Sequence, residues 1–451
     1  TPTPDHSIRG NINVKTGAVL SFSPAVAGTI NMNSGGNQAI WGAGTFNVNA
    51  LSTFDINAGT TVSLQKNMGV NSTGNMLVNG TLILTGENFI SSPLVAGGTV
   101  TLNNGGTLSI QSVDGINNTT TGNIRTTTFT YNNGGNFIYS GNTNQVTGLR
   151  LPLTLSGTPL SNLTIANTGT APNNVVTLTN NNTTTAIINL NAGQFNAGTG
   201  GTLIINGGTN LVVDGGGDQF LSGGANDNII RFASNGAVSG TPELWNVTIG
   251  TSGGGVDFQS NARINGILQI ISGGFVNPNA PRYNTGSFLV YNTGGPYNRN
   301  IEWGNNAGLG TPGYPHHVTI QGGTTLNFLN NTTFDMGCGG NLTIGTASAG
   351  TLVLTDYVQP YDLFVRGNIN IGGTAAGILT MSNSIGCDLY LTGNWTRTAT
   401  GNVNFGFGNG RSVYFDGSTD ATITATGGQY FPYVRMEKAA KANKVTLADH
   451  V

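Results

Sequence analysis

Apolar and polar residues alternate in short runs along the chain, and many of these runs begin with a Gly-Thr pair. In GTINMN, Ile30 and Met32 alternate with Asn31 and Asn33, which is the two-residue period of a strand with one buried face. Similar runs are GTFNVN at 44 (with Asn47 and Asn49 on the polar side), GTLILT at 80, GTVTLN at 98, GTLSIQ at 106, GTLIIN at 201 and GTLVLT at 350. The pattern predicts many short β-strands, each entered from a Gly-Thr turn.

A longer repeat is present in the second part of the chain. LSNLTI, LWNVTI, PHHVTI and FPYVRM start at 160, 244, 315 and 431, and each precedes a second apolar run: VTL at 176, VDF at 256, LNF at 326 and VTL at 445. The first two copies differ in the length of one turn, whereas the strands stay in phase. We therefore expect residues 163–165, 247–249 and 318–320 to occupy equivalent places in the fold.

Short strands with variable turns are typical of a β-solenoid, because stacked coils bury the apolar face that one short strand cannot bury alone. We predict an all-β, right-handed parallel β-helix with Gly-, Asn- and Thr-rich turns and little or no α-helix. Coils of ~20–25 residues at the ~4.8 Å strand spacing would give roughly twenty turns, with amide ladders at the turns. A string of β-sandwich domains is the alternative, but strands follow one another too closely for it.

The domain organisation predicted from these repeats is continuous. We assign residues 1–145 to N-terminal coils and residues 146–451 to further coils that carry the long repeats, with no linker between them. The last copy stops at Val451 after its second strand, and strands begin within about ten residues of the start. We therefore expect further chain or another copy of the protein to cover the coil ends.

Composition agrees with a long, thin core and excludes two classes of partner. Gly supplies 71 of the 451 residues, which is well above the usual ~7%. Charged residues make up 8% of the chain, against a usual ~25%. The net charge of −2 provides no basic stripe for phosphates, which argues against nucleic acid. No apolar run approaches the ~20 residues that a membrane span requires.

Charged side chains are too scattered to indicate an enzyme. Solenoid lyases and hydrolases need clustered acids and bases on one coil face, whereas the 18 acidic and 16 basic residues lie at wide intervals. No G-x-S-x-G motif is present. We expect no enzymatic activity, and no coil face that gathers three or more charged residues within ~8 Å.

The densest group of acids lies in VVDGGGDQFLSGGANDNII at 212–230. Asp218 and Asp227 are nine residues apart, the period of Gly-rich calcium-binding β-rolls, and Asp214 precedes them. Each Gly-rich turn is one residue short of that motif, so a long polar turn is the alternative. These three residues are a weak calcium candidate, and no other cofactor is indicated.

Two further residue types leave alternatives open or point to a structural role. Cys338 and Cys387 lie 49 residues apart and form either a disulfide or two buried thiols. His316 and His317 have no acid or Cys close in sequence, which favours a solvated turn over a metal site.

A Gly-, Pro- and Asn-rich excursion at 291–317 is the strongest candidate for ligand binding. It carries Tyr291, Tyr297, Arg299, Trp303 and Tyr314. Exposed aromatic rings beside amides and a guanidinium suit stacking on sugars or contact with protein. The alternative is that Trp303 and one Tyr cover the core beneath the loop.

Several stretches resemble the repeats of large surface proteins of Bacteroidota. They are LSNLTI…NNVVTLTNN…INLNAGQF, YNTGGPYNRNIEWGN, GYPHHVTIQGGTTLNF and VRMEKAAKANKVTLADHV, and the resemblance covers about 130–451. It implies a cell-surface adhesin or gliding-filament component, exported by the type IX secretion route, and it transfers no catalytic residues.

Together these observations predict a non-enzymatic extracellular structural or adhesive rod, either a segment of a large adhesin or a filament subunit. Its expected partners are further chain or copies at the coil ends and a cell-surface or glycan ligand. The alternative is a carbohydrate-binding or polysaccharide-degrading β-helix protein.

Overall fold

The computed structural model describes residues 5–93, 97–156, 161–198, 200–206, 211–213, 220–221, 229–250, 255–328, 334–354, 361–381, 388–405, 411–440 and 442–448. The chain divides into two compact units, Thr1–Ile230 (unit 1) and Arg231–Val451 (unit 2). The sequence-based division at 145/146 lies within unit 1.

Strands make up nearly all of the regular structure. Up to residue 221 they are β1 (His6–Ile8), β2 (Ile12–Asn13), β3 (Val19–Phe22), β4 (Gly28–Met32), β5 (Asn37–Trp41), β6 (Thr45–Val48), β7 (Ser52–Ile56), β8 (Thr61–Leu64), β9 (Met68–Val70), β10 (Asn75–Val78), β11 (Thr81–Leu84), β12 (Ile90–Ser91), β13 (Thr99–Leu102), β14 (Thr107–Ile110), β15 (Ile124–Arg125), β16 (Thr128–Tyr131), β17 (Asn136–Tyr139), β18 (Gln145–Val146), β19 (Asn162–Ala166), β20 (Val175–Thr177), β21 (Thr183–Thr185), β22 (Ile187–Ala192), β23 (Gln194–Asn196), β24 (Thr202–Ile205), β25 (Leu211–Val213) and β26 (Phe220–Leu221).

From residue 229 onward the strands are β27 (Ile229–Phe232), β28 (Gly236–Ala237), β29 (Glu243–Leu244), β30 (Asn246–Ile249), β31 (Gly255–Asp257), β32 (Arg263–Ile264), β33 (Ile267–Ile271), β34 (Phe275–Val276), β35 (Arg282–Tyr283), β36 (Phe288–Asn292), β37 (Pro296–Asn298), β38 (His317–Ile320), β39 (Thr324–Asn327), β40 (Met336–Cys338), β41 (Leu342–Ile344), β42 (Gly350–Val353), β43 (Leu363–Val365), β44 (Ile369–Ile371), β45 (Gly377–Thr380), β46 (Leu389–Leu391), β47 (Trp395–Arg397), β48 (Gly401–Asn404), β49 (Ser412–Phe415), β50 (Ala421–Ala425), β51 (Tyr433–Met436) and β52 (Val445–Leu447). A single 3-10 turn, Ile301–Trp303, is the one helical element among the described residues.

The strands of unit 1 form coils of three. Each of the first strands pairs in parallel with the strand three places on, which gives the sheets β1-β4-β7-β10-β13-β16, β2-β5-β8-β11-β14-β17-β19-β22-β25 and β3-β6-β9-β12-β15. Unit 2 repeats this arrangement, with the sheets β37-β39-β42-β45-β48 and β40-β43-β46-β49-β51 beside a third that contains β38, β41, β44, β47, β50 and β52. The predicted all-β parallel β-solenoid is confirmed.

The coils are more variable in length than expected. Phe54 pairs with Met76, 22 residues later, whereas Ile90 pairs with Ile124, 34 residues later. Over the described residues the parallel strands stack into about 16 turns, fewer than the roughly twenty estimated from the sequence, and that estimate was wrong. Insertions in turns account for the difference, because they leave the paired strands in register.

Apolar side chains stack in rows inside the coils. Ile30, Phe54, Met76 and Val100 are paired partners on four successive coils, and each is at most 3% exposed. Burying an aliphatic or aromatic side chain of this kind contributes about 1.5–3 kcal/mol. The alternation seen in the sequence therefore places the core correctly.

Amide ladders join successive coils at the turns, as predicted. In unit 1, Asn79 Nδ2 donates to Asp55 Oδ1 over 2.7 Å, Asn103 Nδ2 donates to Asn79 Oδ1 over 2.8 Å, and Asn132 Nδ2 donates to Asn103 Oδ1 over 2.7 Å. Three of the four members of this ladder are asparagines, so most of the inter-coil hydrogen bonds along it join uncharged side chains.

The long repeat keeps its place in only part of the chain. Residues 247–249 and 318–320 lie in β30 and β38, which belong to the same sheet, so the prediction is confirmed for these two copies. Residues 163–165 lie in β19, in a sheet of unit 1, and the fourth copy forms β51, in another sheet of unit 2. A repeated motif changes face when the number of strands between copies changes.

Candidate functional site

The segment 291–317 turns its aromatic rings inward. Tyr291 and Trp303 are fully buried and Tyr314 is 4% exposed, whereas Tyr297 and Arg299 are half-buried. The exposure expected from the sequence is therefore wrong for three of the five residues. A long excursion needs an apolar anchor of its own, and Trp303, packed edge-on against Phe328 at 5.3 Å between ring centroids, provides it.

The centre of this segment is Glu302, which the sequence analysis did not single out. The residue lies in the 3-10 turn Ile301–Trp303 and is fully buried. Its Oε1 accepts hydrogen bonds from Tyr291 OH at 3.0 Å and from the backbone N–H of Asn300 at 2.9 Å. The position of an acid between Ile301 and Trp303 was the available signal in the sequence.

Further hydrogen bonds fix the 3-10 turn to the neighbouring coils. Tyr283 OH donates to the carbonyl oxygen of Glu302 over 2.9 Å, and Trp303 Nε1 donates to the carbonyl oxygen of Gly337 over 2.8 Å. Arg299 Nη1 donates to the carbonyl oxygens of Asn300 and Trp303. Hydrogen bonds to main-chain carbonyl oxygens thereby join the excursion to Tyr283, which precedes it in the chain, and to Gly337, which follows it.

Burial and the Glu302 charge perturb the titrating groups of this cluster. Burial raises the pKa of Glu302, although the Asn300 backbone N–H, the Arg299 charge and the Tyr291 hydroxyl act in the opposite direction. The pKa of Tyr297 is raised by burial and by the nearby Glu302. The Tyr297 hydroxyl forms no hydrogen bond of normal geometry with any described residue, so proximity to the carboxylate rather than a well-aligned bond accounts for the second effect.

The Glu302 cluster has the composition of a polar core. Glycoside hydrolysis ordinarily uses two carboxyl groups that flank the scissile bond, and no second acid is among the groups that perturb Glu302. The structure brings Tyr291, Tyr297, Arg299 and Trp303 together around this carboxyl, whereas Tyr314 perturbs neither Glu302 nor Tyr297. The arrangement orients and fixes the excursion.

A second group of acids forms a ladder across three coils of unit 2. Asp335 Oδ1 accepts from the backbone N–H of Asp362 at 3.0 Å, Asp362 Oδ1 accepts from that of Asp388 at 2.8 Å, and Asp388 Oδ1 accepts from that of Ser412 at 2.7 Å. Burial raises the pKa of Asp362 to about 6, with further increases from the charges of Asp388 and Asp335. The ladder places three acids on one coil face, but at ~4.8 Å per coil the outer two are about 9.6 Å apart, so it does not contradict the expectation of no three charged residues within ~8 Å.

An aromatic stack lies on the strands that follow this ladder. Phe364 and Tyr390 stack with ring centroids 4.7 Å apart, and Tyr390 and Tyr414 with centroids 4.3 Å apart. Guanidinium groups lie over both ends, Arg366 at 4.9 Å from the Phe364 centroid and Arg435 at 5.2 Å from that of Tyr414. Cation–π contacts of this kind stabilise the stack, and burial together with the Asp362 charge raises the pKa of Tyr390.

The two adjacent histidines bond to backbone donors. His316 Nδ1 accepts from the N–H of Gly286 at 2.9 Å, and His317 Nδ1 accepts from that of Asn341 at 2.9 Å. Burial lowers the pKa of both rings. Both rings therefore serve as neutral structural acceptors; His317 lies in β38 rather than in a turn, whereas His316 lies in a partly exposed bend as the sequence suggested.

The remaining candidates concern cysteine and metal chemistry. Cys338 is a free, buried thiol whose pKa burial raises to about 12, so it has little thiolate character; Cys387 lies outside the described residues. The calcium candidates Asp214, Asp218 and Asp227 also lie outside them. Within the described ranges, no group of three His, Cys, Asp or Glu side chains is arranged to hold a metal ion.

Comparison with known proteins leaves the function to be argued from this chain's own residues. No family model and no curated protein matches the sequence. The crystal structure of a TibC-catalysed, hyper-glycosylated TibA fragment is similar at 12% identity, over 98% of this chain and 99% of that chain, with a TM-score of 0.16. A likeness at that TM-score carries no argument about function. Among the described residues, no helix is both long and apolar enough to cross a bilayer.

Proposed function

We propose that the protein is a non-enzymatic, extracellular structural or adhesive β-solenoid, a segment of a large cell-surface adhesin or a filament subunit. The observation that carries the proposal is the use of its acidic side chains. Asp335, Asp362 and Asp388 hold the backbone of the next coil, and Glu302 holds Tyr291 and the turn that contains it. Acids used in this way maintain the stack of coils.

The composition and the sequence resemblance support the same proposal. A surface of Asn, Thr and Gly with a net charge of −2 suits dense packing outside the cell, because little charge repulsion opposes it. The repeats that resemble Bacteroidota surface proteins favour export by the type IX route and attachment at the cell surface.

Surface labelling and attachment assays test the proposal directly. Antibodies against residues 1–451 should label intact, unpermeabilised source cells, and beads coated with the chain should attach to a cell or glycan surface more than beads coated with heat-denatured chain. Labelling that appears only after permeabilisation would contradict the surface location. Failure of the coated beads to attach would leave the structural role as the one to retain.

Polysaccharide hydrolysis is the second candidate, because one observation favours it. Asp362, with a pKa of about 6, lies beside the carboxylates of Asp335 and Asp388, and a raised-pKa acid next to a second carboxylate is the arrangement that acid–base hydrolysis uses. Incubation with neutral and acidic polysaccharides, followed by measurement of reducing ends, separates the two functions. Reducing ends released by the wild type and lost in Asp362→Asn and Asp388→Asn would establish hydrolysis and refute the non-enzymatic proposal.

A further inference from the structure

A cleft of about 360 Å³ lies beside β48 in unit 2, lined by residues that include Arg397, Asn402, Gln429 and Tyr430. In the described part of the chain, β48 is the last strand of its sheet, and Gly428, Gln429, Tyr430 and Pro432, which follow β50, also line the cleft. The volume falls within the ~300–1,000 Å³ of sites that bind small molecules.

The cleft carries a positive charge that no carboxylate balances. Arg397 Nη1 donates to the Gly401 carbonyl oxygen at 2.9 Å, and its Nη2 donates to the carbonyl oxygens of Thr426, at 2.8 Å, and Gly428. These bonds hold the guanidinium in place but leave its charge intact. Arg397 Nε is buried without a hydrogen-bond partner among the described residues, and no acidic residue lines the cleft.

Two neighbouring residues supply an acceptor and an aromatic surface. Gln429 Nε2 donates to the Tyr430 carbonyl oxygen at 2.8 Å, whereas Gln429 Oε1 is buried with no donor among the described residues. The Tyr430 side chain is 77% exposed. A buried acceptor without a donor is costly unless a bound group supplies one, and an exposed ring suits the apolar face of a sugar.

We infer that this cleft binds an acidic saccharide. The carboxylate of the sugar pairs with the Arg397 charge, a hydroxyl donates to Gln429 Oε1, and the sugar ring lies against Tyr430. A neutral sugar leaves the charge unbalanced, and a free phosphate makes no use of the Tyr430 ring. The inference rests on the proposed function in one respect, namely that the cleft holds its ligand without cleaving it.

Calorimetry on the chain of residues 1–451 tests the inference. The probes are oligogalacturonate, oligomannuronate and sialyllactose, with methyl-esterified oligogalacturonate and lactose as neutral counterparts. We expect at least one acidic probe to bind, with its neutral counterpart about tenfold weaker or undetectable. Tyr430→Ala should weaken binding about tenfold through loss of ring contact. Gln429→Glu should abolish it, because the new carboxylate repels the ligand.

Tyr433→Ala is the matched control, because Tyr433 is also exposed, at 58%, but does not line the cleft. Its binding should equal that of the wild type. Absence of binding by every acidic probe, equal binding of the esterified probe, or equal losses in Tyr430→Ala and Tyr433→Ala would each overturn the inference. Reducing ends released from a bound probe would instead refute the non-enzymatic function and leave the binding site standing.

Discussion

Replacing Asp362 by Asn should stabilise unit 2 at neutral pH. Asp362 lies between Asp335 and Asp388, and folding raises its pKa from 3.8 to about 6. An Asn side chain removes the charge but keeps an oxygen that accepts the Asp388 backbone N–H, now at 2.8 Å. The substitution therefore removes the charge while it retains the hydrogen bond to the Asp388 backbone.

The size of the effect follows from the pKa and the exposure of the side chain. A shift from 3.8 to about 6 corresponds to about 3 kcal/mol at ~1.36 kcal/mol per pKa unit. Because the side chain is only half-buried, screening by solvent reduces this upper limit, and we expect a gain of about 1 kcal/mol at pH 7.5. The weaker hydrogen bond to a neutral acceptor is included in that figure.

The sign of the pH dependence is fixed by the direction of the shift. Because folding raises the pKa of Asp362, its contribution to stability is fully present below about pH 4 and is lost as the pH rises through about 6. Asp362→Asn should therefore match the wild type near pH 4 and exceed it at pH 7.5. Subtracting the wild-type free energy of unfolding from that of Asp362→Asn at each pH cancels the contributions that both proteins share, including those of the histidines.

Hydrogen exchange followed by mass spectrometry is the suitable assay, because solenoids need not unfold in a single step. Peptides that contain Asp388 report the local opening, and urea denaturation at pH 4.5 and 7.5 reports the wider effect. Asn368→Asp is the matched control, since Asn368 accepts a backbone N–H in the same way at 2.8 Å but lies between Asn341 and Asn394. It should change stability by less than about 0.5 kcal/mol. A less stable Asp362→Asn at pH 7.5, or a difference that does not vary with pH, would refute the reasoning.

Three further predictions concern the interior and the turns of the solenoid. Glu302→Ala should lower the free energy of unfolding by about 3 kcal/mol, because it leaves a cavity and an unpaired tyrosine hydroxyl. Glu302→Gln should lower it by less than about 1 kcal/mol. Urea denaturation measures the free energy of unfolding of both variants. Replacing His316 and His317 by Gln should flatten the fall in thermal midpoint between pH 7 and 5, because the lowered pKa of both rings gives stability that is present above ~6.5 and lost as the pH falls. Gly98→Ala should cost about 3 kcal/mol, since its Cβ would lie 1.8 Å from a carbonyl oxygen of the preceding coil, whereas Gly59→Ala, with φ +77° and open space, should cost about 1 kcal/mol by thermal denaturation.

Local alternation was sufficient to predict the fold, because each short strand shows in its own residues which face is buried. Ile30 and Met32 lie inside as expected. Asn47 does not follow the rule and is 3% exposed. The reason lies on the next coil, where a Cβ at Gly69 would be 2.2 Å from Asn47 Oδ1, so the absence of a side chain there leaves room for the amide. That contact joins residues of different coils and is invisible to a strand-by-strand analysis.

The candidate site was harder to predict, because it depends on how a long excursion folds back. Composition placed Tyr291 and Trp303 in one polar loop, but only the packed structure shows both rings enclosed around Glu302. The acidic ladder was predictable in principle. Its members are 27 and 26 residues apart. These spacings match the observed coil lengths, but they exceed the ~20–25 residues per coil that the sequence analysis expected.

The hydrogen-bonded ladders have a direction that bears on how coils follow one another. In both the Asp ladder and the Asn341–Asn368–Asn394 ladder, the side-chain oxygen belongs to the earlier coil and the backbone N–H to the later one. In these two ladders a coil therefore presents side-chain acceptors for the backbone of the coil that follows it, whereas elsewhere the direction is reversed, as where His316 Nδ1 accepts from the Gly286 N–H of the earlier coil. Along the Asp and Asn ladders, the acceptors that each coil uses are thus supplied by the coil that precedes it in the chain.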